Sequence, residues 1–68
     1  MMMKKRVAKI HDDETAAKLY DELRKDNFDF TIRPVADFQE LYVNKDQIKS
    51  VKDVVKKLGV CIKVTWKF

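Results

Sequence analysis

The chain has 68 residues and a net charge of +4, with 46% hydrophobic and 38% charged residues. This length allows one domain, and the mixed charges favour a folded protein over a disordered one. A single cysteine excludes a disulfide-stapled secreted fold and a multi-cysteine zinc site, so we expect a reducing, cytoplasmic location. No apolar run approaches the roughly 20 residues that a membrane span needs, so we expect no membrane partner.

The first third of the chain predicts an arm, a strand and a helix. Residues 1–5 are expected to form a loose arm, and residues 6–68 a single domain. Residues 6–11 alternate as in a strand, with Ala8 and Ile10 on one face. Asp12 or Asp13 then caps a helix that ends near residues 26–27. The apolar stripe of this helix is Ala16, Leu19, Tyr20 and Leu23, and its expected i,i+4 ion pairs are Glu14–Lys18 and Asp21–Lys25.

The middle of the chain changes from helical to alternating periodicity. Residues 28–33 predict a strand in which Phe28, Phe30 and Ile32 face inward and Asp29, Thr31 and Arg33 face outward. Pro34 ends this strand or lies on a sheet edge. A turn follows, and residues 38–43 predict a third strand. Two phases of this strand remain open: we favour Leu41 and Val43 inward over Phe38 and Tyr42 inward.

The last third predicts a second helix and a final strand. Asn44 and Gln47 have the spacing of a capping box. Gly59 stands where a left-handed residue ends a helix, and residues 60–68 alternate as a long strand. The apolar stripe of the helix is Ile48, Val51, Val55 and Leu58, and its charged stripe is Lys45, Lys49, Lys52 and Lys56.

This order of elements predicts an α+β fold. With right-handed crossovers, a βαββαβ chain forms a ferredoxin-like four-stranded antiparallel sheet, in the order 4-1-3-2, with both helices on one face. Two separate hairpins packed in another way are the alternative. The expected core is Ile10, Leu19, Leu23, Phe30, Ile32, Ile48, Val51, Val55, Ile62 and Val64.

The predicted fold sorts the charges into two sides. Both ends of the chain are basic and the middle is acidic, and the first and last strands are neighbours in the predicted sheet. The uncovered face of the sheet should therefore be basic and carry an aromatic side chain, as a nucleic-acid surface does. A solvated lysine face and a site for an acidic protein are the alternatives. The candidate nucleic-acid-binding residues are Lys9, His11, Tyr42, Lys63, Thr65 and Lys67.

The predicted topology resembles that of RNA-recognition motif domains, which bind RNA on the open face of such a sheet. The resemblance lies in the topology alone. The third-strand segment DFQELYVN has Phe38 and Tyr42 as aromatic residues, but it lacks the glycine of that family's third-strand motif.

Two clusters of side chains could carry chemistry. The segment HDDE at 11–14 joins a histidine to three carboxylates, but helix capping and first-turn charge account for these acids. Cys61 and His11 could approach across neighbouring strands, although no third group orients them. We therefore expect no enzyme, no cofactor and no metal.

The function expected from the sequence is that of a small nucleic-acid-binding module, with single-stranded nucleic acid as the partner. The alternative is a small protein-binding regulator or inhibitor with an acidic protein partner. A homodimer through the last strand or the open sheet face is also expected, because that strand is long for a sheet edge.

Overall fold

The structure is a computed structural model that describes residues 4–66. The strands and helices, in chain order, are β1 (Lys4–Ile10), α1 (Asp13–Lys25), β2 (Phe30–Val35), β3 (Phe38–Asn44), α2 (Ile48–Leu58) and β4 (Val64–Trp66). Two short 3-10 turns, Lys45–Gln47 and Cys61–Lys63, precede α2 and β4.

The four strands form one antiparallel sheet in the order β2-β3-β1-β4. This is the predicted order read from the opposite edge, and the α+β class with two helices is confirmed. Strand β2 is an edge, as Pro34 indicated, because an edge strand tolerates a residue without an N–H.

One cluster of apolar side chains joins the helices to one face of the sheet. Six of the ten predicted core residues are buried, and Phe30, Ile32 and Ile48 are partly buried against them. Ile62 was predicted wrongly, since its side chain is 87% exposed. The six buried residues are Ile10, Leu19, Leu23, Val51, Val55 and Val64.

The favoured phase of the third strand is confirmed. Leu41 and Val43 are fully buried in the core, and Tyr42 lies between them on the other face. Leu41 stands opposite both Ala8 of β1 and Ile32 of β2, so this residue holds the centre of the sheet against the helices.

The capping predictions have different outcomes for the two helices. Asp12 caps α1, because its carboxylate accepts hydrogen bonds from the Thr15 amide at 3.0 Å and the Thr15 hydroxyl at 2.8 Å. The capping box of Asn44 and Gln47 is wrong, since neither side chain caps the helix. Both contact Asp29 instead: the Asn44 amide donates to its carboxylate at 3.1 Å, and Gln47 Oε1 accepts from its backbone N–H at 3.2 Å.

Strand β1 differs from its prediction in start and register. It begins at Lys4, so Lys4 and Lys5 belong to the sheet, and the other arm residues, 1–3, lie outside the described residues. Its pairing with β3 passes from Arg6 to Ala8 through a bulge at Val7. Because the bulge adds a residue, Val7 and Ala8 are both buried while Arg6 and Lys9 both turn to the open face.

The last strand begins later than predicted, at Val64 rather than at residue 60, and residues 67–68 of the predicted strand lie outside the described residues. Helix α2 ends at Gly59, whose φ of 73° is left-handed, and the chain then makes the 3-10 turn Cys61–Lys63 before it pairs with β1. The Lys63 amide donates to the Val60 carbonyl at 2.9 Å within this turn. The turn breaks the period of two, which is why Ile62 points into solvent.

Candidate nucleic-acid interface

The open face of the sheet lies opposite the helices and carries four of the six predicted site residues. Lys9 stands opposite Thr65 of β4, and His11 follows the end of β1. Tyr42 stands opposite Arg6 on one side and Thr31 on the other. Because directly opposed residues share a face, these side chains form one surface. We call it the open face: Arg6, Lys9, His11, Thr31, Arg33, Phe38, Glu40, Tyr42 and Thr65.

Two predicted members are missing from this surface. Lys63 lies in the 3-10 turn rather than in a strand, and its Nζ is 3.8 Å from the carboxylate of Asp12 at the start of α1. The assignment of Lys63 to the sheet face is therefore wrong, because the turn directs it toward the helix. Lys67 lies outside the described residues.

Glu40 organises the centre of the open face. Its side chain is 9% exposed, and both carboxylate oxygens are engaged. Arg6 Nη1 donates to Oε2 at 2.8 Å, and the Tyr42 hydroxyl donates to Oε1 at 3.0 Å. The carboxylate thus fixes the positions of a guanidinium and an aromatic ring relative to each other, while 49% of the Arg6 side chain stays exposed.

The same contacts change proton affinities. The hydrogen bond from Arg6 lowers the pKa of Glu40 below its ordinary value; burial opposes this, and the Tyr42 hydroxyl and the charges of Arg6 and Arg33 lower the pKa further. The pKa of Arg6 is raised by its hydrogen bond to Glu40. Glu40 therefore stays ionised, and the Arg6–Glu40 pair is formed throughout the neutral range.

A second pair of contacts lies at the other end of the open face. The Lys9 Nζ is 4.6 Å from the centre of the Phe38 ring, a cation–π distance. The His11 Nε2 and the Thr65 hydroxyl are 2.7 Å apart. Lys9 and Phe38 thus form a cationic, aromatic patch beside the Arg6–Glu40–Tyr42 network.

Arg6, Arg33 and Glu40 are functional candidates that the sequence-based prediction missed. Strict alternation from Ala8 places Arg6 on the covered face, and only the bulge at Val7 brings it to the open one. The adjacent apolar pair Val7–Ala8 in an otherwise alternating strand was the available signal. Arg33 has the outward phase that the sequence predicted, and it stands opposite Glu40.

The side chains of the two clusters that could carry chemistry are dispersed. Asp12 is the helix cap, Asp13 accepts from Gln39 Nε2 at 2.8 Å, and Glu14 lies 3.9 Å from Lys18. His11 contacts Thr65, while Cys61 is exposed in the 3-10 turn. Within residues 4–66, no group of three or more histidine, cysteine or acidic side chains is arranged to hold a metal ion.

The lysine stripe of the second helix lies on the helical side of the molecule. Lys45, Lys49, Lys52 and Lys56 are all exposed. The Lys52 Nζ is 5.4 Å from the centre of the Trp66 ring. This stripe is a second basic surface, separated from the open face by the sheet and the core.

The lowered carboxylate pKa values predict an acid-sensitive fold. A hydrogen bond from the Thr15 side chain is the main cause that lowers the pKa of Asp12. A hydrogen bond from Lys4 is the main cause for Asp29, and a hydrogen bond from Arg6 is the main cause for Glu40. Groups with lowered pKa values stabilise the fold above their unfolded-state pKa, and this contribution is lost as the pH falls through the folded value.

We therefore expect the free energy of unfolding to decline as the pH drops from about 5 toward about 2. Urea unfolding across this range measures the decline. The Glu40→Gln variant should lose less stability over the same range, because it lacks one of these three carboxyl groups with a lowered pKa. A variant curve parallel to the wild-type curve would contradict this role of Glu40.

No protein-family model and no curated protein matches this sequence. Among the described residues, neither helix has the length and apolar character required to cross a membrane.

Proposed function

We propose that the chain is a small ferredoxin-like module of the cytoplasm that binds nucleic acid on its open face without catalysing a reaction. The observation that carries this proposal is the grouping of Arg6, Lys9 and Arg33 around the Tyr42 and Phe38 rings, on the sheet face that lies opposite both helices. Cations that contact phosphates, beside rings on which bases stack, are the two components of single-strand binding.

The chemistry of these groups predicts the type of nucleic acid. Stacking on an aromatic ring needs an unpaired base, so a single strand should be preferred over a duplex. The three cations contact phosphates, which are common to every sequence, so selectivity among sequences should be weak. The Lys9 ammonium already lies over Phe38, so the base is assigned to Tyr42.

Glu40 supports the proposal through preorganisation. It reduces the positive charge of the surface by one, but it also fixes Arg6 and Tyr42 side by side. The exposed N–H groups of Arg6 can then receive a phosphate next to the ring that stacks the neighbouring base. Less conformational freedom is lost on binding when the contacting groups are already in place.

Fluorescence anisotropy with a labelled single-stranded oligonucleotide, titrated at several salt concentrations, tests the proposal. Three phosphate contacts on a single strand should give a slope of log K against log salt of about −2. The same oligonucleotide annealed to its complement should bind more weakly. Absence of binding at low salt to single-stranded DNA and RNA would reject the proposed function.

Protein binding is the second candidate function. The observation that favours it is the Arg6–Glu40 pair, which leaves less unbalanced charge on the open face than most nucleic-acid surfaces carry. In this case the chain is a regulator or inhibitor that receives an acidic protein on the open face, or a homodimer through that face. Light scattering at millimolar concentration tests the dimer, and a monomer there would reject it.

A further inference from the structure

Strand β2 leaves one side of the sheet open for pairing. It pairs with β3 over six residues, from Phe30 to Val35, and no strand among residues 4–66 pairs with its outer side. Such an edge presents free N–H and C=O groups to which another extended chain can bond. Pro34 removes one of the donors and leaves the rest of the edge available.

An open groove of about 400 Å³ runs beside this edge. Ala16 and Ala17 of α1 form one wall, and Ile32 of β2 lies opposite them. Tyr20 extends the apolar surface: it is 46% exposed and packs edge-on against Phe30, with ring centres 5.4 Å apart. A strand added to β2 would direct every second side chain toward this groove, because side chains alternate along a strand.

The charged groups that line the groove are acidic. Asp13 and Asp21 of α1 both border it. Asp13 accepts a hydrogen bond from Gln39, whereas the Asp21 carboxylate has no partner among the described residues. Its predicted partner, Lys25, lies 3.7 Å from Glu22 instead. An unpaired carboxylate at the rim of an apolar groove favours an occupant with a positive charge next to an apolar side chain.

The acidic groups of the groove disfavour a second copy of the chain, joined β2 to β2, as the partner of this edge. Two copies joined along this edge would place the Asp13 and Asp21 carboxylates of one groove near those of the other. Like charges that face each other across an interface are destabilising. The Arg33 side chains, which could offset these charges, lie on the other face of the sheet, opposite Glu40.

We propose that the edge of β2 and the groove beside it bind an extended basic segment of a partner protein by strand addition. One apolar side chain of the segment enters the groove against Ile32 and Tyr20. Lysine or arginine residues two positions away on the same face reach Asp21 and Asp13, because alternate residues share a face. This surface is separate from the open face, so the two can be tested independently.

The probe is the capped peptide Lys-Thr-Ile-Thr-Lys, titrated to millimolar concentration into the ¹⁵N-labelled full chain. We expect saturable amide shifts at residues 30–35 and at Asp21. Two further peptides carry N-methyl groups on alternate residues, one at both Thr residues and one at Lys, Ile and Lys. An added strand points alternate amides at its neighbour, so one of these peptides should lose binding and the other should keep it.

A matched pair of variants separates the site from the net charge. Asp21→Lys reverses the charge at the rim of the groove, and Asp53→Lys makes the same change on the exposed face of α2. We expect about three- to tenfold weaker peptide binding for Asp21→Lys and little change for Asp53→Lys.

Four results would overturn the proposal. They are an absence of saturable shifts along β2, shifts confined to the open face or to α2, equal weakening by the two variants, and equal binding of both methylated peptides. A fifth result, shifts along β2 that depend on protein concentration without peptide, would overturn it in favour of a second copy of the chain.

Discussion

Replacing Leu23 with alanine should lower the free energy of unfolding by about 2–5 kcal/mol, because a fully buried leucine is lost and a cavity remains. Leu23 lies on the inner face of α1, within the cluster that joins both helices to the sheet. A chain of 68 residues buries a modest share of its surface, so this loss is a large part of its total stability.

Chemical denaturation measures the effect as a shift of the midpoint. Ile62→Ala is the matched control, since it also removes a branched aliphatic side chain, but from a position that is 87% exposed. We expect its midpoint to stay near that of the wild type. Equal midpoint shifts for the two variants would contradict the placement of both residues.

Replacing Tyr42 with alanine should weaken single-strand binding by about 1–3 kcal/mol, which is about 5- to 150-fold in affinity. The substitution removes a stacking surface and no charge, so the dependence of affinity on salt should remain that of the wild type. Tyr42→Phe is the conservative control: it keeps the ring, loses the hydrogen bond to Glu40, and should retain most of the affinity.

The complementary charge variant combines Lys9→Glu with Arg33→Glu. It should weaken binding and reduce the salt slope by about 1.4, because two phosphate contacts on a single strand are lost. Lys49→Glu with Lys56→Glu makes the same change in net charge on α2, the other side of the molecule. Stronger loss in this control than in the open-face variant would reject the open face as the binding surface.

The parts of the fold that the sequence predicts are those where one periodicity runs without interruption. The stripe that includes Leu19 and Leu23 repeats with the helical period, and both residues are buried in α1. In β3, alternation left two phases open, and the burial of Leu41 and Val43 confirms the favoured one. A cap at Asp12 or Asp13 could be predicted because a carboxylate before a helix accepts from the free amides of the first turn, and the structure shows that Asp12 is the cap.

The predictions fail where tertiary contacts override the local pattern. Residues 60–68 alternate well enough to predict a long strand. The chain must connect the end of α2 to the edge of β1, however, and the 3-10 turn Cys61–Lys63 forms this connection. Asn44 and Gln47 have capping-box spacing, yet both side chains form hydrogen bonds with Asp29 instead. Asp29 is distant from them in sequence, so a local sequence pattern does not predict these contacts.

Only part of the candidate site could be predicted from the sequence. Alternation places Lys9 and Tyr42 on the uncovered face, since each follows from the burial of its neighbours. The contact between Arg6 and Glu40 depends on the bulge at Val7 and on the pairing of strands 34 residues apart. Such a contact requires the register of the sheet, which one sequence does not specify.

The short pairing of β4 also determines how the molecule would respond to force. Within residues 4–66, strand β1 pairs with β3 from Lys4 to Ile10 and with β4 at three positions, from Ala8–Trp66 to Ile10–Val64. Lys9 and Thr65 stand opposite each other in the middle of this pair. Tension applied between these two residues would load the hydrogen bonds of β4 along their own axes, because the bonds of an antiparallel pair are perpendicular to the strands. In a single-molecule pulling experiment, β4 should peel off at low force, ahead of the β1–β3 pair that holds the centre of the sheet.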